Sequence, residues 1–224
     1  NVLEKKLGFR VFLINTSLAK VLAEHLFGKG RGIDDLVFIE YGRGISCGII
    51  SGGKPIGGYM EMAGEMGHFN IPGRDEQCRC GRKGCLEALV SIPAIEKRTM
   101  DFLKRGQVSS LDVQRGPNRR YLTTISDIVK AFECGDPLAV KVMKESSVFL
   151  SSAVGNVVKL LNPKVVILES NFKILGKEFL KVFLKDIRKN MLYGEDVRFD
   201  ISDMGEEQAG LGGAALTLQN FLRL

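Results

Sequence analysis

The segment His68–Cys85 reads HFNIPGRDEQCRCGRKGC and contains one histidine and three cysteines: His68, Cys78, Cys80 and Cys85. Three thiolates and one imidazole are a common ligand set of structural zinc sites, in which the protein fills all four tetrahedral positions. Gly81 and Gly84 allow the backbone angles of a tight turn between the last two cysteines. We therefore predict a zinc knuckle over residues 68–85. The alternative interpretation is a group of thiols that binds no metal.

The composition is that of a globular chain. Of its 224 residues, 45% are hydrophobic, which is enough for a core in one large domain or two small lobes. No apolar run is long enough to span a bilayer, and we expect no signal peptide and no membrane partner. Three of the five cysteines belong to the predicted knuckle, so a disulfide framework is not expected. A reducing, cytoplasmic location is the expectation.

The net charge of +6 is concentrated in part in residues 104–120. This segment contains one acidic residue, Asp112, and five basic ones: Lys104, Arg105, Arg115, Arg119 and Arg120. Such a balance favours nucleic acid or another polyanion as a partner. However, no aromatic residue lies among these charges, and the sequence contains no DNA-binding motif. A solvated surface loop is therefore the preferred interpretation.

Strand and helix patterns alternate along the chain, which predicts an α/β fold. The predicted strands cover residues 9–14, 36–39, 45–51, 164–168 and 197–202, with a hairpin at Gly52-Gly53. The predicted helices cover residues 15–27, 86–103, 136–161, 172–191 and 205–224. A further short helix is predicted to begin at Ser126. The last helix is rich in glycine and alanine, so it can approach another element closely.

Two motifs resemble those of the ROK family of sugar kinases and sugar-responsive repressors. They are Glu65-Met66-Gly67-His68 and the run CRCGRKGCLE over residues 78–87. Further similarity lies in the helix after Asn15, in Gly42-Arg43-Gly44 and in residues 161–168. The resemblance covers nearly the whole chain.

The resemblance implies an actin-like, ribonuclease-H-like fold of two α/β lobes, with a sugar in the cleft between them. Residues 1–224 resemble mainly the second lobe, and the whole range is expected to be one ROK-type sugar-binding domain. We expect the N-terminal lobe to lie outside this range. In the repressor branch, a winged helix-turn-helix that binds DNA precedes that lobe.

The resemblance also assigns sugar contacts, which fall on Asn15, Glu65, His68 and Glu87. Carboxylates suit this task because each oxygen can accept a hydrogen bond from a sugar hydroxyl. His68 would serve in addition as a zinc ligand with the three cysteines, and the knuckle would hold Glu65, His68 and Glu87 close together. Taken singly, the glutamates are typical surface carboxylates and Asn15 is typical of a helix cap.

Three departures from the family pattern point away from catalysis. Family kinases have an aspartate as general base where this chain has Thr16, which cannot accept the proton; such a loss costs roughly 10²–10⁴ in rate. Arg43 stands between the glycines of the hairpin at the phosphates, and Glu169-Ser170 replaces paired glycines beside the adenosine. ATP binding is therefore not expected.

The resemblance implies the sugar-sensing, effector-binding part of a catalytically inactive transcriptional repressor, of the type that responds to xylose or N-acetylglucosamine. Its expected partners are a small sugar and, through a domain outside residues 1–224, DNA; a homodimer or tetramer is expected. The first alternative is a ROK sugar kinase that phosphorylates a hexose or N-acetylhexosamine with an unusual base. The second is a zinc-stabilised scaffold with neither ligand nor chemistry.

Overall fold

The computed structural model describes residues 2–111, 123–191 and 196–222. Its strands are β1 Leu36–Tyr41, β2 Ile45–Ser51, β3 Lys54–Pro55, β4 Val165–Leu168 and β5 Arg198–Ile201. Its helices are α1 Val2–Leu7, α2 Thr16–Phe27, α3 Leu86–Val90, α4 Ile92–Lys104, α5 Ile125–Glu133, α6 Pro137–Leu161, α7 Gly176–Asn190 and α8 Gln208–Leu222. Short 3-10 turns cover Met66–His68 and Ser170–Leu175. None of the helices described is long and apolar enough to cross a membrane.

The strands form one mixed sheet in the order β3-β2-β1-β4-β5. Strand β1 pairs antiparallel with β2 and parallel with β4, which in turn pairs parallel with β5. Strand β4 is buried along its whole length, as expected for a parallel strand that is covered on both faces. The parallel strands β1 and β4 end at the same edge of the sheet, which is the edge where α/β proteins place their ligands.

Alternate residues of β1 face two different helical layers. Leu36 and Phe38 belong to an apolar cluster with Val21 of α2. Val37 and Ile39 belong to the larger cluster on the other face, to which helices α3 to α7 contribute. This alternation follows from the two-residue side-chain period of a strand. The sheet is therefore a central layer with helices on both sides.

Helix α8 packs directly on α2, as its small residues predicted. A Cβ atom added at Gly212 would lie 1.8 Å from the carbonyl oxygen of Ala19, so the two backbones meet where only glycine fits. The buried carboxylate of Glu24 in α2 accepts hydrogen bonds from Ser202 and from Gln208 of α8. The closing helix is thereby fixed to the start of the chain.

Most predicted elements are present, and the α/β class is confirmed. The hairpin at Gly52-Gly53 joins β2 to β3, with positive φ angles at both glycines. Helix α6 begins after Asp136, whose side chain accepts from the Ala139 amide, and ends at Asn162 in the left-handed conformation. Both ends match the sequence signals, because capping residues act locally and need no tertiary contact.

The predicted buried strand over residues 9–14 is wrong. These residues have no regular secondary structure, and Phe9, Phe12 and Leu13 are exposed. In the described part of the chain the sheet ends at β3 and β5, so the segment has no strand to pair with. Apolar composition favours a strand but does not supply a pairing partner.

Three helix boundaries also differ from the prediction. The helix over residues 86–103 is two helices, because Ser91 is extended and caps α4 through the Ala94 amide. The short helix begins after Thr124, which forms a capping box with Asp127, and Ser126 lies inside its first turn. Residues 170–175 form a 3-10 turn before α7. Most of the basic segment 104–120 lies outside the described residues.

Candidate metal centre and adjoining cleft

The four predicted metal ligands lie together. The ligand atoms of His68, Cys78, Cys80 and Cys85 are all within 4.8 Å of one another. The Cys80 and Cys85 sulfurs are 3.7 Å apart, and the Cys78 sulfur is 3.7 Å from His68 Nδ1. Zinc–sulfur bonds of about 2.3 Å at tetrahedral angles would separate two sulfurs by about 3.8 Å. The donor set and its spacing therefore fit a four-coordinate metal ion.

Backbone bonds within the zinc segment hold these ligands in place. Cys85 pairs with Asn70, and Gln77 pairs with Lys83 in isolated β-bridges. Gly84 has φ 71°, and a Cβ there would lie 2.6 Å from the Arg74 carbonyl oxygen. Only glycine fits that turn without strain. The tight turn that the sequence predicted at Gly84 is therefore present in the structure.

The thiols differ in acidity because their surroundings differ. Backbone and side-chain donors of Arg82 lower the pKa of the Cys80 thiol to about 6. Burial, together with the neighbouring thiols, raises the pKa of Cys85 to about 12. Since the thiolate is the form that binds metal, these surroundings favour metal binding more at Cys80 than at Cys85.

The histidine of the centre also borders a carboxylate. Nε2 of His68 lies 3.8 Å from Glu65 Oε2, while Nδ1 faces Cys78. Glu65 is fixed by its neighbour Gly64, whose carbonyl accepts from the Cys47 amide of β2 at 2.8 Å. A Cβ at Gly64 would lie 1.8 Å from the Cys47 carbonyl oxygen, so glycine is required there. Strand β2 therefore sets the position of Glu65.

A polar cleft of about 550 Å³ lies at the carboxyl edge of β1 and β4. Its lining residues are Ile14, Asn15, Thr16, Ser17, Lys20, Glu40, Tyr41, Gly42, Arg43, Gly44, Ile45, Ser46, Glu65, Glu87, Glu169 and Asn171. The cleft thus collects residues from α2, β1, β2 and α3, from the loop that contains Glu65 and from the segment that follows β4. Its volume suits a small ligand.

Three of the four predicted sugar contacts line this cleft: Asn15, Glu65 and Glu87. Asn15 is also the cap of α2, since its side chain accepts from the Ser17 amide at 2.9 Å. Glu87 is mostly buried and accepts from the Ile45 amide at 3.3 Å. His68 is not among the residues that line the cleft, but its Nε2 lies 3.8 Å from the carboxylate of Glu65, which does line the cleft. Both roles foreseen for Asn15, cap and cleft residue, are compatible with this geometry.

An ionic network in the cleft was missed by the sequence analysis. The Lys20 ammonium donates to Glu40 at 2.7 Å and to Glu169 at 2.5 Å. Ser17 and Ser46 also donate to Glu40, at 2.6 and 2.9 Å. The sequence hinted at this network only in that Lys20 follows Thr16 by four positions, which places both residues on the same face of α2. Glu40 lies in β1 and Glu169 directly follows β4, and only the fold brings the two glutamates to Lys20.

The network favours the charged forms of Lys20 and Glu40. Burial lowers the pKa of Lys20, but the hydrogen bonds to Glu169 and Glu40 outweigh burial and leave the pKa raised. Burial raises the pKa of Glu40, but the bonds from Lys20 and the two serines outweigh it and leave that pKa lowered. The lowered pKa favours the ionised form of Glu40, which already accepts three hydrogen bonds, from Lys20, Ser17 and Ser46.

The sequence comparisons identify the family. Residues 1–220 match the sequence model of the ROK family. The chain belongs to the ROK family. The resemblance stated from the two motifs is thereby confirmed.

Relatives of this ROK chain include both repressors and kinases. It is 31% identical to the DNA-binding transcriptional dual regulator NagC of Escherichia coli over 178 residues, which are 80% of this chain and 42% of NagC. It is 26% identical to a xylose repressor of Caldicellulosiruptor bescii (99% of this chain, 55% of the repressor). It is also 26% identical to a glucokinase of Halalkalibacterium halodurans (97% and 66%). The chain thus spans about half the length of these repressors.

A solved structure of a ROK family transcriptional regulator, a homologue of the E. coli MLC protein, superposes with a TM-score of 0.81. The sequence of this regulator is 30% identical to that of the present chain, and the match covers 97% of the present chain and 54% of the regulator. The fold is therefore the actin-like α/β fold of ROK proteins, as predicted. Family membership alone does not separate repressors from kinases, because both share this fold.

Proposed function

We propose that residues 1–224 form the sugar-sensing, effector-binding part of a ROK-family transcriptional repressor that transfers no phosphate. The observation that carries the proposal is Thr16, which stands on the rim of the cleft beside Asn15. Of the residues that line the cleft, only Thr16 occupies the position of the kinase base. A xylose repressor matches 99% of this chain and a glucokinase matches 97%, so the proposal rests on Thr16 and not on the coverage of the relatives.

A small sugar is the ligand that suits the cleft best. Asn15 and Glu65 offer acceptors and a donor, and Glu87 adds a mostly buried carboxylate. Adjacent sugar hydroxyls need such short, fixed polar groups. Lys20, Glu40 and Glu169 already satisfy one another, so the groups that remain for a ligand are those near the zinc segment.

We assign the metal as zinc, held by His68, Cys78, Cys80 and Cys85. Three sulfur donors and one nitrogen in a closed arrangement favour zinc over calcium or magnesium, which prefer oxygen ligands. A bound ion of this kind would cross-link the loop from Glu65 to Glu87 and would take no part in chemistry. The two carboxylates would then keep a fixed separation.

Neither Thr16 nor Glu40 is suited to replace the missing aspartate as general base. Thr16 cannot accept a proton near neutral pH. Glu40 is a carboxylate in the same cleft, but hydrogen bonds from Lys20 and Ser17 lower its pKa, which weakens it as a base. The proposed protein therefore binds its sugar and releases it unchanged.

The cleft is also unfavourable for the phosphates of ATP. Glu169 follows β4 at the edge of the sheet, and its carboxylate is held in the cleft by Lys20 and by the Tyr41 amide at 2.8 Å. Two carboxylates, Glu40 and Glu169, share the one ammonium group of Lys20. A polyphosphate brought close to them would meet net negative charge. We therefore propose that ATP is not a ligand.

Sensing would operate through a shift between conformations. A sugar that binds one arrangement of the two lobes more tightly shifts the population toward it. DNA would be bound by a domain outside residues 1–224, and a homodimer or tetramer would present two such domains to an operator. The repressor relatives motivate this part of the proposal.

Calorimetric titration tests the sugar assignment. The zinc-loaded protein is titrated with D-glucose, D-xylose, N-acetyl-D-glucosamine and N-acetyl-D-mannosamine, and one of them is expected to bind with a stoichiometry of one per chain. The Glu65→Gln variant should bind the same sugar at least tenfold more weakly, because a charged hydrogen bond contributes about 1.5–3 kcal/mol. Absence of binding by every sugar would disprove the sugar-sensing function.

The alternative function is a ROK sugar kinase, and the glucokinase relative favours it. A coupled assay of ADP release, with each sugar and with ATP and Mg²⁺, separates the two proposals. The repressor proposal expects no sugar-dependent ADP release. Release that requires sugar and is abolished by Glu65→Gln would establish the kinase instead.

A further inference from the structure

An ionic cluster outside the cleft joins the zinc segment to two helices. Arg74 lies in the zinc segment, between His68 and Cys78, and its Nη2 is 3.2 Å from Oε2 of Glu145 in α6. Arg98 of α4 donates to the same oxygen of Glu145. One carboxylate oxygen therefore receives two guanidinium groups from two different parts of the chain.

Each arginine has a second anchor. The Arg74 guanidinium carbon lies 4.8 Å from the centre of the Phe149 ring, also in α6. Arg98 Nη1 donates at 3.0 Å to the carbonyl of Leu89, which belongs to α3, the short helix that starts just after Cys85. The planar guanidinium suits such simultaneous contacts because its donors are fixed in direction.

The cluster is partly buried, most deeply at Arg98. The side chain of Arg98 is 11% exposed, that of Arg74 30% and that of Glu145 35%. Burial lowers the pKa of Arg98, and the charge of Glu145 counteracts it. Removal of the Glu145 charge would leave Glu76, whose carboxylate lies 3.9 Å from Arg74 Nη1, as the remaining counter-ion for the two guanidinium groups.

The geometry points to Glu145 as a positioning residue for the metal centre. Through Arg74 it holds the loop that runs from His68 to Cys78, and through Arg98 it holds the helix that follows Cys85. The first two metal ligands and the last one are thereby fixed relative to each other from outside the coordination shell. The inference rests on the proposed zinc site, and it adds that zinc retention depends on a carboxylate in α6.

The test is the rate at which a chromogenic chelator removes zinc from the intact protein. The Glu145→Gln variant is expected to lose zinc about tenfold faster than the parent, in the range that supporting residues of metal sites produce. Arg74→Gln should accelerate release by a similar factor, because it removes the other partner of the same ion pair. The double variant should be no faster than Glu145→Gln alone, because both changes break the same link.

Ser147→Ala is the matched control. Ser147 lies in α6, is buried, and donates to Asp186 of α7 at 3.0 Å, away from the zinc segment. This variant should lower the melting temperature through the lost hydrogen bond, yet lose zinc at the parent rate. Equal acceleration by Ser147→Ala would mean that general destabilisation is responsible, and it would overturn the inference.

Further outcomes separate this inference from the proposed function. Zinc release by Glu145→Gln within twofold of the parent rate overturns the positioning role, whatever the sugar titrations give. A parent protein that contains no zinc overturns the inference together with the zinc assignment. Faster release in a protein that binds none of the four sugars supports the positioning role while the sugar-sensing proposal fails.

Discussion

His68 and Glu65 join the metal centre to the cleft through one imidazole ring. Nε2 of His68 lies 3.8 Å from the Glu65 carboxylate, and Nδ1 faces the Cys78 sulfur at 3.7 Å. A metal bound at Nδ1 would fix the tautomer with its proton on Nε2, directed toward Glu65. The cleft carboxylate and the candidate metal centre therefore lie on opposite edges of one imidazole ring.

Replacement of Glu87 by glutamine should weaken sugar binding. Glu87 is mostly buried, and its Oε2 accepts from the Ile45 amide; glutamine keeps the shape but removes the charge. We expect the dissociation constant to rise about 10- to 100-fold, as for loss of a charged hydrogen bond. Titration calorimetry measures it, with the exposed Glu178→Gln of α7 as control. An unchanged constant would remove Glu87 from the sugar site.

Loss of the metal should loosen the zinc segment. The Cys85→Ser variant removes a buried ligand, and a metal that binds only the folded state stabilises it by its binding free energy. We expect less than 0.1 zinc per chain by elemental analysis and a lower melting temperature. The exposed cysteine in Cys134→Ser serves as control and should leave both values unchanged. Full zinc content in Cys85→Ser would contradict the assigned ligand set.

Two neighbouring glycines of α8 should respond in opposite directions to alanine. A Cβ at Gly212 would lie 1.8 Å from the Ala19 carbonyl oxygen, whereas a Cβ at Gly213 has no neighbour within 4 Å. Gly212→Ala should therefore lower the free energy of unfolding by about 3 kcal/mol. Gly213→Ala should raise it by up to about 1 kcal/mol through helix propensity. Urea denaturation measures the free energy of unfolding of both variants. An equal change in the two variants would disprove the close contact of α2 with α8.

The ionic network should make stability depend on acid pH. The pKa of Glu40 is lowered from its ordinary value of 4.5, so its contribution is complete above that pH and is lost as the pH falls below it. The Glu40→Gln variant should therefore be less stable than the parent at pH 6, by about 1–2 kcal/mol. The difference should shrink toward pH 3. A difference that stays constant between pH 6 and pH 3 would contradict the assigned charge state.

The sequence contained most of what decides the metal centre. His68 and the three cysteines lie within 18 residues, and glycines such as Gly84 mark the turns between them, so local spacing already implies the geometry. The same holds for helix α6, whose caps Asp136 and Asn162 act within one turn. Features that are fixed by neighbours in sequence can be inferred from sequence.

The missed features depend on contacts between distant residues. Lys20 meets Glu169 across 149 positions of the chain, and Arg74 meets Glu145 across 71. No sequence spacing predicts either pair, because the segments that carry the two residues are brought together only by the fold. The wrong strand over residues 9–14 has a similar cause: its apolar pattern was real, but strand formation needs a partner elsewhere.

The central claim is that the cleft binds a sugar without phosphorylating it. The most direct measurement is mass spectrometry of the sugar after incubation of the zinc-loaded protein with ATP, Mg²⁺ and the sugar that binds it in calorimetry. We expect the sugar to be recovered unchanged, and its affinity to be the same with and without ATP. A mass increase of one phosphate group, about 80 Da by elemental arithmetic, that depends on the protein and on Glu65 would contradict the account.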